Sequence, residues 1–440
     1  MVADRKIGFW MCTALVVGNV IGMGIFLLPA SLAPYGFNAL IGWAVTLLGC
    51  LALAQVFSYL ARTLPDADGP YVYIRRTLGE IPAFVALWAY WASIGSTNAA
   101  LATGVVGYLG AVFPGSTAAP PAALALCLLW AVVAINLLGV RAGGTVQVVT
   151  TVLKLLPMLA VVVLGGWILL HSPASYAAHP PATPIGLGAV MTASALALYA
   201  MIGIESAMVP AGRVADPGRT IPRATIVGTI ATTLIYTAVS AVPLLLIPQH
   251  ELARSGAPLS LLMNQFAGAD MGRWLALFVV ISGLGALNGW TLLVAELTRT
   301  MAANGVMPAV LGRSNRFGAP ASALLVIGAL GSITILMSYS RSLVSAFTLY
   351  TQVVTAANLP LYLGCVLVLM VLWRRGSIAG ASRAALVPIV VGLLYVGFAF
   401  VGAGVQAVLL MLGLCVAGMP LYAIMRWHRR RAGDQISEVR

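Results

Sequence analysis

Three ionisable side chains lie within long apolar stretches of the sequence, namely Lys154, Glu205 and Glu296. A charge at the centre of a bilayer costs about 2.5–3.5 kcal/mol even on a lenient insertion scale, so each is a candidate for ion coupling. The alternative is a structural ion pair among them. Glu296 has the weaker case, because Arg299 lies within one helical turn of it and could pair with it.

A second feature with chemical consequences is a pair of matching segments. Residues 20–30 read VIGMGIFLLPA, and residues 201–211, displaced by 181 positions, read MIGIESAMVPA. In both, an Ile-Gly pair and a Pro-Ala pair interrupt an apolar stretch. Paired glycine-interrupted spans at equivalent positions of two inverted halves indicate a midplane binding site in a secondary transporter. The alternative is that the glycines only let neighbouring helices pack closely.

Broken helices offer unpaired backbone groups to a ligand. The start of each resumed half-helix has four N–H donors without intrahelical partners, and free carbonyls come just before it. The donors carry partial positive charge and suit a carboxylate, whereas the carbonyls suit an ammonium. An α-amino acid carries both groups, so the breaks predict an amino acid or a related amine as the ligand.

Other kinds of chemistry have little support. The five cysteines show no paired or metal-ligand spacing, and the four histidines lie in loops or in the C-terminal tail. A phosphate-cradling glycine-rich loop with a lysine is absent from the sequence, which argues against direct ATP coupling. We therefore expect no catalytic residues, no metal and no cofactor, and we do not expect an enzyme.

The composition indicates which elements position these residues. Hydrophobic residues make up 61% of the 440 residues and charged residues 8%, and the mean hydropathy is +0.99. A soluble domain carries about 25% charge, whereas a membrane span needs roughly 20 apolar residues. Twelve such stretches are predicted, at approximately 8–32, 38–63, 82–112, 121–140, 145–170, 186–211, 223–247, 273–298, 319–338, 343–372, 385–402 and 405–426.

The net charge of +13 is concentrated at one membrane face. With the N-terminus in the cytoplasm, 20 of the 24 basic residues fall inside, against Arg254, Arg273 and Arg341 outside and Lys154 within a span. This asymmetry predicts a multi-pass protein of the bacterial inner membrane with both termini cytoplasmic. The basic tail from Arg426 is expected to contact anionic lipid headgroups, and no nucleic acid partner is expected.

Five stretches resemble the arginine/agmatine antiporter-like members of the basic amino acid/polyamine antiporter family, in the amino acid-polyamine-organocation (APC) superfamily. They are GNVIGMGIFLLPA (18–30), GPYVYIRRTLG (69–79), YWASIGSTN (90–98), MIGIESAMVPAGRVADPGRTIPRA (201–224) and GWTLLVAELTRTMAANGVMP (289–308). The resemblance implies an all-α membrane protein of twelve transmembrane helices, a five-plus-five inverted repeat with helices 1 and 6 broken and two additional C-terminal helices. It also implies sodium-independent exchange, often as a homodimer.

The corresponding domain boundaries are 1–171 for the first inverted repeat, 185–372 for the second, 385–426 for helices 11 and 12, and 427–440 for a basic cytoplasmic tail. The resemblance also implies site residues. Gly22, Met23 and Gly24 would cradle a substrate carboxylate, with Asn19 bracing the break. The other implied substrate-binding residues are Ile21, Tyr90, Ile94, Asn98, Tyr199, Ala200, Gly203, Glu205 and Trp290.

The resemblance gives specific roles to some of these. Tyr199 and Trp290 would cover the substrate, where a side-chain cation can sit over an aromatic face. Asn98 would meet the distal end of the substrate, and Glu205 would take part in amine binding. Two alternatives remain. The aromatic residues could be ordinary lipid-facing or core residues, and the asparagines could form hydrogen bonds between helices.

Departures from the arginine exchanger are informative too. Met23 and Ala200 stand where it has serine, and Tyr199 stands where it has tryptophan. This less polar pocket puts arginine itself in doubt but leaves an amino-acid-sized site. Lys154 resembles the fifth-helix lysine of proton-coupled and exchanging transporters, whose ammonium stands where sodium-coupled relatives bind a cation. Sodium coupling is therefore not expected, and the protonation of Lys154 could change with the transport state.

Three functional hypotheses remain open. The first is an exchanger or proton-coupled carrier for a basic amino acid or its amine, and the second is a similar transporter for small neutral amino acids. The third, a transporter-like membrane sensor, is disfavoured by the intact breaks and the buried charges. The expected partners are the small-molecule substrate, protons, the lipid bilayer and a second copy of the chain.

Overall fold

The structure is a computed structural model that describes residues 8–64, 69–113, 115, 119–138, 143–204, 217–378 and 383–438. Side chains are described in these ranges except at positions 14, 15, 19, 143–152, 217–218 and 428–438. The secondary structure of the described residues is helical, and no β-strand occurs among them. This confirms the predicted all-α class.

The helices follow the chain in a simple order. Their bounds are α1 Phe9–Val20, α2 Gly24–Leu32, α3 Phe37–Thr63, α4 Pro70–Leu78, α5 Glu80–Val112, α6 Pro121–Leu137, α7 Gly143–His171, α8 Leu187–Met201, α9 Pro217–Leu246, α10 Gln249–Leu252, α11 Pro258–Ala267, α12 Ala269–Ala303, α13 Ala321–Met337, α14 Leu343–Arg374, α15 Leu386–Ala403 and α16 Val405–Glu438. Short 3-10 segments lie at Ala33–Tyr35, Pro173–Ala177 and Ala309–Gly312.

Seven helical stretches in the described part of the chain are long and apolar enough to cross a bilayer. They are Phe37–Thr63, Leu153–His171, Arg219–Leu246, Ala269–Ala303, Leu343–Arg374, Leu386–Ala403 and Val405–Trp427. Shorter apolar helices include Gly24–Tyr35, Pro121–Leu137, Leu187–Met201 and Ala321–Met337. Several helices capable of spanning a membrane are thus confirmed, and the count of twelve stays a prediction.

Helix starts and ends differ from the predicted spans for local reasons. Four helices, α4, α6, α9 and α11, begin with a proline at their first position, where its missing N–H has no intrahelical partner to lose. Helices α4, α10 and α11 lie between predicted spans. They are too short to cross a membrane, so a search for long apolar stretches does not find them. Helix α16 continues to Glu438 beyond the predicted end at 426, since hydropathy marks a membrane limit and not a helix end.

The long helix α5 lies at the centre of the bundle and packs against α14, α12, α13 and α6. Helix α3 packs against α8 and α9, with the hydroxyls of Thr46 and Ser194 2.9 Å apart. Close approach rather than hydrophobicity drives such packing inside a membrane. Gly42 makes it possible here, because a Cβ atom at this position would lie 2.9 Å from the backbone nitrogen of Ser194.

The first predicted break is present. Helix α1 ends at Val20, Ile21 is extended with φ −71° and ψ 96°, and α2 begins at Gly24. Helix α8 ends in a similar way at Met201, where Ile202 is extended and Gly203 has a φ of +116°, a conformation that favours glycine. Residues 205–216 lie outside the described residues, so the resumption of this helix and the inverted repeat stay predictions.

The half-helix α2 is held from the side by Tyr108 of α5. The Tyr108 hydroxyl donates to the carbonyl oxygen of Phe26 at 2.6 Å and accepts from the backbone N–H of Leu259 at 3.3 Å. Tyr108 is fully buried, so both hydrogen bonds are protected from water. They tie α2 to α5 and to the start of α11.

Candidate functional site

A small cavity lies where the break between α1 and α2 meets the end of α8. Residues from the break, from the end of α8 and from α5, α9, α12 and α14 surround it, and its volume is about 30 Å³. Its lining consists of Val20, Gly22, Met23, Gly24, Ile25, Thr97, Leu101, Tyr199, Ala200, Ile202, Tyr236, Trp290 and Val354. A space of this size holds only about one or two water molecules, so an amino acid can enter only if the surrounding side chains move.

The carbonyl groups freed by the break in the first helix have partners from other helices. The hydroxyl of Tyr236 on α9 donates to the carbonyl oxygen of Val20 at 3.0 Å, and Nζ of Lys154 on α7 donates to that of Ile21 at 3.1 Å. A helix end leaves its last carbonyls without intrahelical donors, and buried ones must find partners elsewhere. These two side chains therefore stabilise the break.

Lys154 is one of the three ionisable residues that the sequence places within apolar spans, and only 2% of its surface is exposed. The one ion pair among the described residues joins Arg299 and Glu296, so no described carboxylate pairs with Lys154. Its described hydrogen bond is to the Ile21 carbonyl. A buried ammonium held on a backbone carbonyl resembles a bound monovalent cation more than a structural ion pair.

Gly24 allows an aromatic ring to lie directly against the start of α2. A Cβ atom at this position would lie 2.7 Å from Cε1 of Tyr199, closer than carbon atoms pack. The buried Tyr199 ring also contacts Phe347 edge-on, with 6.1 Å between the ring centroids. In this conformation the ring of Tyr199 covers the backbone that was predicted to cradle a carboxylate.

Met23 is fully buried and reaches between α5 and α12. A Cβ atom at Gly104 would lie 3.0 Å from Cγ of Met23, and one at Gly283 would lie 2.9 Å from its sulfur. These two glycines leave the space that the long thioether side chain occupies. The substitution of methionine for the serine of the resembled family is therefore accommodated by packing on two neighbouring helices.

Asn98 is fully buried one residue beyond Thr97, which lines the cavity. Its Nδ2 donates to Oγ1 of Thr291 at 3.3 Å, while its Oδ1 has no hydrogen-bond partner among the described residues. A buried acceptor without a partner costs about 1–3 kcal/mol. Asn98 does not line the cavity in this conformation, but Thr291 directly follows Trp290, which does.

The predicted substrate-binding residues fall into three groups. Gly22, Met23, Gly24, Tyr199, Ala200 and Trp290 come together around the cavity. Ile21, Tyr90, Ile94, Asn98 and Gly203 do not line it. Glu205 and the side chain of Asn19 lie outside the described residues.

Glu296 is on an exposed part of α12. Its side chain is 55% exposed and accepts a hydrogen bond from Nε of Arg299 at 2.8 Å. The sequence indicated this pairing with Arg299, three residues later, as the alternative to a role in ion coupling. The argument from a buried charge therefore does not apply to Glu296.

Several lining residues were not predicted from the sequence. Thr97 and Leu101 lie on the face of α5 next to the predicted Asn98, so a helical reading of that segment could have found them. Tyr236 and Val354 lie outside the five resembled stretches, and only the tertiary structure brings them to the break. No cluster of three or more metal-binding side chains occurs among the described residues. The backbone donors and aromatic faces of the lining suit reversible binding.

Comparisons with known proteins show which family the chain resembles. Residues 7–423 match the family described as amino acid permease. A cadaverine/lysine antiporter of Escherichia coli (strain K12) is 33% identical over 334 residues, which cover 74% of this chain and 73% of the relative. The putrescine transporter PotE of the same strain is 28% identical over 427 residues, 96% of each chain.

Proposed function

The chain belongs to the amino acid permease family of the APC superfamily, and from this membership we propose a sodium-independent exchanger or proton-coupled carrier for a basic amino acid or its amine. Members of the family are membrane-embedded transporters and not enzymes, and this chain is one of them. Transport would proceed by alternating access to the cavity between the two helix interruptions.

The hydrogen bond from Lys154 to the carbonyl of Ile21, 3.1 Å long, carries the proposal. In broken-helix transporters, unwound backbone carbonyls coordinate the coupling sodium ion or proton. Here the ammonium of Lys154 donates to such a carbonyl, so the carbonyl needs no dissolved cation as a partner. This supports transport without sodium, and it makes the proton of Lys154 the candidate coupling ion.

The α-carboxylate of a substrate would bind the first turn of α2. N–H groups at a helix start lack intrahelical partners and carry partial positive charge, which suits an anion. Gly22, Met23 and Gly24 line the cavity at this point. The ring of Tyr199 must move aside for a carboxylate to reach them, and it can then cover the bound substrate.

The distal end of a basic substrate would donate hydrogen bonds to Oδ1 of Asn98, which has no donor among the described residues. The unpartnered Oδ1 of Asn98 can accept a hydrogen bond from an ammonium or a guanidinium once the substrate opens the space beside Trp290. Glu205 would add a negative charge to the site, as the family resemblance implies. The named activities of the cadaverine/lysine antiporter and the putrescine transporter support a cationic substrate.

A small neutral amino acid is the second candidate, and the cavity itself favours it. The volume is about 30 Å³, and no acidic side chain occurs among the described lining residues. A smaller ligand would displace fewer side chains. Met23 and Ala200, which replace serines of the resembled family, also make the lining less polar.

The architecture that accompanies this proposal is the twelve-helix inverted repeat. Its halves would be residues 1–171 and 185–372, followed by helices 11 and 12 at 385–426 and the cytoplasmic tail at 427–440. The matched segments at 20–30 and 201–211 and the interruption between α1 and α2 support it. The charge asymmetry supports cytoplasmic termini in a bacterial inner membrane, and assembly as a homodimer stays a prediction from the resemblance.

Uptake into proteoliposomes tests the proposal. Labelled arginine, lysine, agmatine, putrescine, alanine and methionine should each be offered with and without internal substrate, and in sodium or choline buffer at fixed pH. We expect basic substrates to exchange equally well in both buffers, and Asn98→Ala to weaken agmatine more than alanine. A several-fold requirement for sodium would refute the role given to Lys154. Tighter binding of alanine or methionine than of any cation would replace the first candidate by the second.

A further inference from the structure

A second and much larger cavity, of about 500 Å³, lies at the end of α16 opposite its basic C-terminal segment. It is bounded by the C-terminal end of α2, the segment after α10, the start of α14 and the start of α16. Gln352 of α14 lines this cavity, whereas Val354 lines the small one. Residues two positions apart on a helix point to nearly opposite sides, so the two cavities are separate sites.

Two arginines, Arg254 and Arg341, line this second cavity. Basic residues are scarce at this membrane face, because the sequence puts only Arg254, Arg273 and Arg341 there out of 24. Two of these three therefore share one cavity. The other basic residues lie mostly at the opposite membrane face. Two arginines in one cavity at this face therefore indicate a local function for their charge.

Described protein groups do not neutralise the two arginines. No acidic residue occurs among the described residues that line the cavity, and neither arginine makes an ion pair within the same part of the chain. Glu251 lies three residues before Arg254, but its Oε1 accepts a hydrogen bond from Gln265 at 2.9 Å. Both arginine side chains are exposed, so their charge is available to an external anion.

The rest of the lining suits a polar anion with an apolar part. Ser345 and Gln406 offer side-chain hydrogen bonds, and Leu343 and Leu349 offer apolar contact. Helix α14, which is 32 residues long, begins at this cavity and adds the partial positive charge of its N-terminus. Gln406 of the lining directly follows Val405, an apolar residue of α16 that is 77% exposed.

We propose that this second cavity binds the phosphate group of an anionic phospholipid, with Arg254 and Arg341 holding the phosphate. Arginine matches phosphate oxygens with two parallel N–H donors, which a lysine cannot do. The acyl chains would follow the apolar surface of α16 into the bilayer. A bound lipid would thus join α14 and α16 at the membrane surface.

Native mass spectrometry of the detergent-purified protein tests this proposal. The full chain is titrated with phosphatidylglycerol, with phosphatidylcholine of the same acyl chains, and with inorganic phosphate. An arginine near an anionic lipid contributes about a factor of five in affinity. We therefore expect Arg254→Gln with Arg341→Gln to weaken phosphatidylglycerol binding roughly 25-fold, and the double lysine variant to lose less.

Arg273→Gln is the matched control, because Arg273 is exposed at the same membrane face but does not line the cavity. It should bind phosphatidylglycerol as the parent does. An equal loss in this control would attribute binding to general surface charge and overturn the proposal, as would unchanged binding by the double glutamine variant. Retention of inorganic phosphate in place of phosphatidylglycerol would overturn the assignment to a lipid. Equal unfolding temperatures in lipid-free detergent would show that the variants are folded.

Discussion

Gly24→Ala adds one methyl group at the start of α2, where the structure has no room for it. A Cβ atom there would lie 2.7 Å from Cε1 of Tyr199 and 3.2 Å from Cδ1. Carbon atoms pack at about 3.5–4.0 Å, so the ring must move by about 1 Å. The ring is buried and already contacts Phe347, so this movement disturbs a packed core.

Such overpacking typically costs about 1–3 kcal/mol. We therefore expect Gly24→Ala to lower the free energy of unfolding by that amount, measured by denaturant titration of the detergent-solubilised protein. Gly22→Ala is the matched control, since the nearest atom to a Cβ there is the Val20 oxygen at 4.0 Å. It should change the free energy of unfolding by less than about 0.5 kcal/mol.

A double-mutant cycle identifies the ring as the cause. Tyr199→Leu removes the clashing atoms, so Gly24→Ala should cost at least about 1 kcal/mol less in that background. Additive effects, or equal losses for the alanine variants at 22 and 24, would refute the reasoning. Transport adds a functional readout. A methyl group at the proposed carboxylate cradle should reduce arginine exchange more than agmatine exchange, because agmatine has no carboxylate. Equal reductions would attribute the effect to folding alone.

Three further predictions concern groups around the break. Lys154→Ala should abolish proteoliposome exchange or its pH dependence without lowering membrane expression, because it removes both the ammonium charge and the hydrogen bond to the Ile21 carbonyl. Normal exchange by this variant would contradict the proposed role. Tyr236→Phe should lower the free energy of unfolding by about 1–3 kcal/mol, since it leaves the buried Val20 carbonyl without its donor, and an unchanged denaturation midpoint would count against that bond. Glu205→Gln should weaken a cationic substrate by roughly 10- to 150-fold in a competition assay and leave alanine binding unchanged, whereas an identical loss for both would argue that this glutamate serves folding.

The local features of the site could be predicted from the sequence. Ile21 and the two glycines at 22 and 24 mark the end of α1 and the start of α2, because their pattern interrupts an otherwise continuous apolar stretch. Lys154 was predictable for a similar reason, since a single charge in an apolar stretch stands out in composition. Both features depend on a few adjacent residues.

Contacts between distant helices could not be predicted in this way. Tyr236 and Val20 are 216 residues apart, and nothing in the sequence around Tyr236 marks it as a donor to a broken helix. The glycines at 104 and 283 that make room for Met23 are equally inconspicuous. Glu296 shows a further limit, because the composition of an apolar stretch does not tell which face of the helix is exposed.

The break between α1 and α2 also has a mechanical consequence. A continuous helix across the bilayer behaves as a stiff rod, so a tilt at one membrane surface reaches the other. Here the carbonyls of Val20 and Ile21 attach α1 to α9 and α7, while the carbonyl of Phe26 attaches α2 to α5. The non-helical residues between α1 and α2, with Ile21 extended, would act as a joint that does not transmit the tilt. Under the proposed alternating access, such a joint would let one side of the membrane open while the other stays closed.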